Sequence, residues 1–160
     1  MRKLVICGVD DSAGAREAAR VASWLAQDLD ADLVLVHVGS VQVVPGASRV
    51  PGGPADVAAL AHERAQLVVE RVATDVGVPA VERKVAMGSA ADVLARIARD
   101  ERAAMLVVGS RGQGHLKGAF LGSVSAALCR SAPCPVVVVP PAAGSAGEQA
   151  EGALADDRRT

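Results

Sequence analysis

Aromatic side chains are almost missing: Trp24 and Phe120 are the only two, and there is no tyrosine. Just over half of the residues are hydrophobic, so the interior has to be built from Ala, Val and Leu, small side chains that favour close packing of helices on a sheet. Neither sign of charge dominates. The 17 Lys and Arg nearly balance 18 Asp and Glu, which argues against the basic field that drives general nucleic-acid binding. Cysteine is sparse as well. Cys7, Cys129 and Cys134 form no CxxC pair, so neither a disulfide framework nor a zinc site is indicated and a reducing compartment fits best. No apolar run approaches the roughly 20 residues that cross a bilayer. Arg2 and Lys3 lead straight into a strand-like run, without a signal-peptide core. The expectation is a cytoplasmic protein with neither membrane nor nucleic-acid partners.

What is present alternates between two periods. Leu4 to Val9 is a short apolar run that stops at Asp10-Asp11-Ser12, after which Ala15, Ala18, Ala19, Ala22, Leu25, Ala26 and Leu29 recur at helical spacing. Leu33 to Val38 is a second run. A loop rich in Gly, Pro and Ser follows to about Pro54, and a second helix runs from Val57 through Val72. Val81 to Ala86 mixes apolar and charged residues, as a half-exposed strand near a sheet edge would. Ser89 and Asp92 have capping-box spacing ahead of a third helix. Met105 to Val108, a short helix from Ser123 to Arg130 and the apolar run Pro135 to Val139 complete the series.

Five strands separated by four helices predict parallel crossover units, because parallel strands need long connections that prefer helices. The fold class is α/β, a doubly wound five-stranded parallel sheet in the order 3-2-1-4-5 with helices on both faces. Residues 1–140 form the domain, and 141–160, which lack apolar periodicity, read as a mobile tail.

Ligands of open α/β sheets bind beyond the carboxyl ends of strands, where strand order reverses. Two segments meet that condition: Val9-Asp10-Asp11-Ser12 after the first strand, and the stretch GSRGQGHLKGAFLGS from Gly109 to Ser123 after the fourth. Glycines at 109, 112, 114, 118 and 122 let consecutive backbone N–H groups turn toward an anion. Ser123 is placed to cap the next helix, whose N-terminus also favours negative charge. Arg111, His115 and Lys117 add positive or proton-donating groups, and no Asp or Glu occurs from Ala103 to Gly147. Phosphate is the natural occupant. Neither the dinucleotide fingerprint nor a GK[ST] phosphate loop is present.

The spacing Gly109-x2-Gly112-x9-Gly122-Ser123 resembles the nucleotide-binding signature of the universal stress protein family, in its ATP-binding branch. VICGVDDS, DLVLVHV, VAMGSAADVL, LVVGSRGQG, LGSVSAAL and PCPVVVV are similar to family segments in the expected order. Asp11-Ser12-Ala13-Gly14 departs from the Gly-Ser-Pro that is commoner there. The resemblance implies that Val9, Asp10 and the main chain at Val38 contact adenine or ribose. It also implies that Gly109, Gly112, Gly122, Ser123, Val124 and Ser125 surround the phosphates of ATP or AMP, with Mg²⁺ or Mn²⁺ as the accompanying ion. Arg111 and Gly88 are second-rank candidates. A homodimer through the last strand, Pro135 to Val139, is similar to what the family does.

Simpler readings stand beside these. Asp10 or Ser12 serves equally as a helix N-cap, and His115 and Lys117 as solvated loop residues. Cys7 packs as a small hydrophobe. His37 and His62 have no ligand cluster near them in sequence and read as ordinary core or surface histidines. Three functions are therefore carried forward: a nucleotide-dependent stress-response switch, a slow ATPase or a protein that phosphorylates itself on Ser123 or Ser125, and a partner-binding dimer that uses no nucleotide.

Overall fold

A computed structural model describes residues 2–40, 53–78, 81–112 and 121–142. His115, Lys117, the loop after the second strand and the segment 143–160 lie outside the described residues. The chain alternates β1 (Lys3–Gly8), α1 (Ala13–Asp28), β2 (Ala31–Gly39), α2 (Gly53–Val76), β3 (Glu82–Met87), α3 (Ala90–Asp100), β4 (Met105–Gly109), α4 (Ser123–Ser131) and β5 (Val136–Val139). All neighbouring strands pair in parallel, and the order across the sheet is β3-β2-β1-β4-β5.

Alternation along the central strands divides the interior into two layers. Val5, Cys7, Leu35 and Val107 face α1 and α2. Ile6, Val34, Val36, Leu106 and Val108 face α3 and α4, where Leu94 and Leu128 are the largest helix side chains. The near absence of aromatics has its counterpart in the helices. On α1 the buried stripe is Ala15, Ala18, Ala19, Ala22 and Ala26, so the helix backbone lies close against the sheet. Trp24 points away from the stripe and is 63% exposed. Asp30, at φ 47°, lets the chain leave α1 in a left-handed turn and start β2.

The two edges of the sheet differ. β3 carries Glu82, Arg83 and Lys84, with ion pairs from Arg83 to Glu70 and from Lys84 to Glu82 and Glu101, as expected of a half-exposed edge strand. β5 ends the other side with four consecutive valines, three of them only half-buried. The expected capping box at Ser89 is half right. Ser89 is the N-cap of α3, but its hydroxyl makes no capping bond. The first turn is closed by Val93 N–H to the Ser89 carbonyl at 2.9 Å, and Asp92 supplies favourable charge at the helix N-terminus.

Cys7 is fully buried, and burial pushes its thiol up to about 12. A maleimide reagent is therefore expected to label the exposed Cys129 in native protein at neutral pH and to leave Cys7 untouched until the chain is unfolded, because the thiolate is the reactive form. Mass spectrometry of the labelled peptides checks this. Labelling of Cys7 at the rate of Cys129 in native protein would contradict it.

Candidate functional site

The connections leaving β1 and β4 depart in opposite directions. β1 leads into α1 on one face, β4 leads to α4 on the other, and the carboxyl ends of the two strands stand side by side. The crevice between them encloses about 410 Å³, within the range of small-molecule sites. Among the described residues, every candidate for nucleotide contact proposed from the sequence lines it except Gly88. Gly88 sits at the end of β3 with φ 134°, its N–H donating to the Gly39 carbonyl at 3.0 Å. Its glycine is explained by that turn into α3.

On the β1 side, Val9 extends the strand ladder by donating its N–H to the Val36 carbonyl at 2.9 Å. Asp10 then presents its carboxylate. Oδ1 accepts the Ser12 N–H at 3.1 Å and also the Ser12 hydroxyl, which in turn accepts the Ala15 N–H at 3.1 Å as the N-cap of α1. Ser12 is thus the cap and Asp10 its orienting partner. Oδ2 lies against Gly112, close enough that a Cβ there would stand 2.5 Å from it.

On the β4 side the backbone is crowded. A Cβ on Gly109 would meet the Gly14 carbonyl oxygen at 3.0 Å, and one on Gly14 would meet the Arg111 carbonyl oxygen at 2.9 Å. The chain after β4 and the first turn of α1 therefore touch main chain to main chain. Gly122 completes the cradle. Its N–H donates to the Ser110 carbonyl at 2.6 Å and its carbonyl accepts the Ala126 N–H at 3.0 Å.

That geometry corrects the expectation that Ser123 caps α4. Gly122, extended at φ −70° and ψ 167°, is the N-cap, and no side chain among the described residues satisfies the first-turn N–H groups. Ser123 is the first helical residue and exposed. Ser125, by contrast, is 2% exposed. Its hydroxyl is shared between the carbonyls of Ser110, at 3.2 Å, and Gly122, at 3.1 Å. It ties the Ser110 and Gly122 main chains together. An uncapped helix start bordered by glycine backbone can receive an anion, and the exposed Arg111 makes no ion pair among the described residues.

Three participants escaped sequence reading. His37 lines the crevice, and its Nδ1 stands 2.7 Å from the Val9 carbonyl oxygen; its place at the end of β2, beside a strand-order reversal, was an available signal. Ser110 supplies the carbonyl that ties Gly122 and Ser125 together; it lies inside the glycine stretch, but a main-chain role leaves no mark on its side chain. Gly14 is needed for the close approach to Arg111, a contact between segments almost a hundred residues apart.

An ion-pair relay supports the Asp10 turn from outside. Arg16 donates to the carbonyls of Asp11 and Ser12 at 3.1 and 3.0 Å, to Asp11 Oδ1 at 2.8 Å and to Asp75 Oδ2 on α2 at 2.8 Å. Arg71 donates to Asp11 Oδ2 at 2.7 Å. The Arg16 hydrogen bond, joined by the charges of Arg71 and Arg16, holds the Asp11 carboxyl below the usual carboxylate range against a smaller opposing effect of burial. A carboxyl depressed in the folded state stabilises the fold above its unfolded pKa, and that contribution is lost as pH falls through the folded value. Asp11→Asn is expected to cost about 0.5–1 kcal/mol at neutral pH. The difference from the parent chain should close progressively below about pH 3.9. Urea unfolding at pH 7 and pH 3 checks it, and a constant difference would contradict the assignment.

Parallel strands in this order, with a crevice at the reversal between β1 and β4, define a class of small doubly wound α/β domains. The chain belongs to the universal stress protein family, whose family model matches residues 1–140. A universal stress protein from Thermus aquaticus is 35% identical over 141 residues, covering 87% of this chain and 99% of that protein. Universal stress protein Rv2623 of Mycobacterium tuberculosis is 35% identical over 143 residues, covering 84% of this chain and 46% of its own. This chain thus spans about half the length of that mycobacterial relative. Among solved structures, a universal stress protein in complex with cAMP aligns with a TM-score of 0.54 at 25% identity, covering 86% of this chain and 95% of that one. No helix among the described residues is long and apolar enough to cross a membrane.

Proposed function

We propose that the chain binds an adenine nucleotide, ATP or AMP, in the crevice between β1 and β4 and works as a nucleotide-dependent switch in a stress response. One observation carries the reading: the Asp10 carboxylate and the uncapped first turn of α4 border the same crevice, with Gly109, Gly112 and Gly122 between them. Val9, Asp10 and the Val38 main chain take the base and ribose. Gly109, Gly112, Gly122 and the N–H groups of Ser123, Val124 and Ser125 take the phosphates, with Arg111 nearby. The complex of a related universal stress protein with cAMP supports an adenine ligand.

A triphosphate would bring Mg²⁺ or Mn²⁺, held chiefly by its own oxygens. Among the described residues no group of three or more His, Cys, Asp or Glu could hold a metal, and Asp10 is the only carboxylate lining the crevice. The same scarcity favours a binder over a fast phosphoryl-transfer enzyme, which needs a group to orient the nucleophile. Asp10 Oδ1 is engaged by Ser12, and Asp11 by Arg16 and Arg71. For slow self-phosphorylation, Ser123 is the accessible hydroxyl and Ser125 the buried one.

A homodimer through the β5 edge, in the cytoplasm, completes the reading; its half-buried valines are the supporting feature. The test is to denature freshly purified protein, identify released nucleotide by chromatography, and titrate the emptied protein with ATP and AMP. Recovered or titratable nucleotide is expected. Absence of both would shift the function to a partner-binding dimer that uses no nucleotide.

A further inference from the structure

Among the described residues the His37 ring makes one hydrogen bond, between Nδ1 and the Val9 carbonyl oxygen at 2.7 Å. A carbonyl oxygen only accepts, so Nδ1 carries the proton. In the neutral ring that fixes the tautomer and leaves Nε2 as a lone-pair acceptor. Among the described residues Nε2 has no partner. His37, the strand residue just before Val38, is half-buried and lines the crevice, and its ring is in contact with Val9. A wall that offers a fixed acceptor there recognises a ligand that brings an N–H donor.

We propose that His37 Nε2 accepts a hydrogen bond from the exocyclic 6-amino group of the bound purine and is a specificity-determining residue for adenine. The proposal rests on the adenine-nucleotide reading above and adds to it a side chain that reads the base. Purines with a 6-oxo group place an acceptor against an acceptor and are rejected. The Val9 carbonyl has a second role, because its bond to Nδ1–H keeps the ring from turning the other nitrogen toward the ligand. The sequence alone suggests none of this, since an isolated histidine in an apolar strand has no feature that separates a packing role from a reading one.

The test compares ATP with purine riboside triphosphate, which lacks the 6-amino group and keeps N1 as an acceptor. Titration of the full chain by calorimetry is expected to show ATP binding about fivefold to tenfold more tightly, the effect of one neutral hydrogen bond. In His37→Phe, which keeps a ring and removes the acceptor, the ratio should fall to near one. His37→Gln, with one donor and one acceptor, should restore part of it. In wild-type protein labelled with nitrogen-15, the His37 Nε2 resonance should move on adding ATP and stay in place with purine riboside triphosphate. That measurement needs no variant and so stands if His37→Phe does not fold.

An equal affinity of the wild-type chain for both ligands overturns the proposal and leaves the nucleotide reading intact. An unchanged ratio in His37→Phe does the same. Equal weakening of both ligands in that variant also overturns it, because His37 would then act only by holding the Val9 carbonyl. If neither ligand binds the wild-type chain, the adenine-nucleotide reading itself has failed and the role of His37 falls with it.

Discussion

Gly122→Leu is expected to lower the affinity for ATP about 100-fold or more, a loss of about 2.7 kcal/mol or greater, while the fold survives. Gly122 has φ −70°, a conformation open to any residue. A Cβ there would stand 3.3 Å from the Ser110 carbonyl oxygen and 3.6 Å from the Arg111 Cα, contacts that a small shift relieves. The rest of a leucine side chain, however, has to share the space in front of the uncapped α4 turn with the phosphates. Thermal melting should therefore move by no more than about 4 °C, what about 1 kcal/mol produces in a domain of this size, whereas calorimetric titration should lose its signal. Unchanged affinity would reject the placement of phosphate at α4.

The second large effect falls on stability. Gly109→Ala is expected to cost about 1–3 kcal/mol, the range for forcing an added carbon into a filled site. Its Cβ would meet the Gly14 carbonyl oxygen at 3.0 Å, the Gly14 carbonyl carbon at 3.1 Å and the Arg111 carbonyl oxygen at 3.2 Å. These are backbone atoms, which cannot rotate away as a side chain does. Gly14→Ala opens the same seam from the other side and should cost a similar amount. The double variant should cost less than the sum, because once α1 and the β4 loop have separated, the second methyl enters space already opened. Urea denaturation of the three variants checks this, and strict additivity would show that the two glycines are not in one seam.

The sheet was legible in the sequence because its strands announce themselves locally. Val5 and Cys7 alternate with Leu4 and Ile6, each helix has its own apolar stripe, and the parallel pairing follows from the long helical connections, while the order is the one common to such sheets. The site was legible in composition and less so in contact. Glycine spacing put Gly109, Gly112 and Gly122 together, yet the cap of α4 moved from Ser123 to Gly122 because the glycine is tied to the Ser110 carbonyl. That bond joins the two ends of a loop and leaves no local trace. Gly14 is similar: its neighbour across the seam is Arg111, and no window along the chain contains both. His37 was visible but unreadable, since its role depends on which atom of Val9 it meets.

The unlike edges of the sheet set a limit on growth. Strand addition needs an unprotected rim, and inward charges are a known means of blocking one. β3 has its charged side chains and ion pairs, whereas β5 offers valine backbone. In the homodimer proposed through β5, each chain uses that rim in the first encounter with a copy of itself. Pairing of that kind closes on a two-fold axis and has no free end from which a filament could lengthen, so concentrating the protein should exhaust its strand-pairing capacity at two chains.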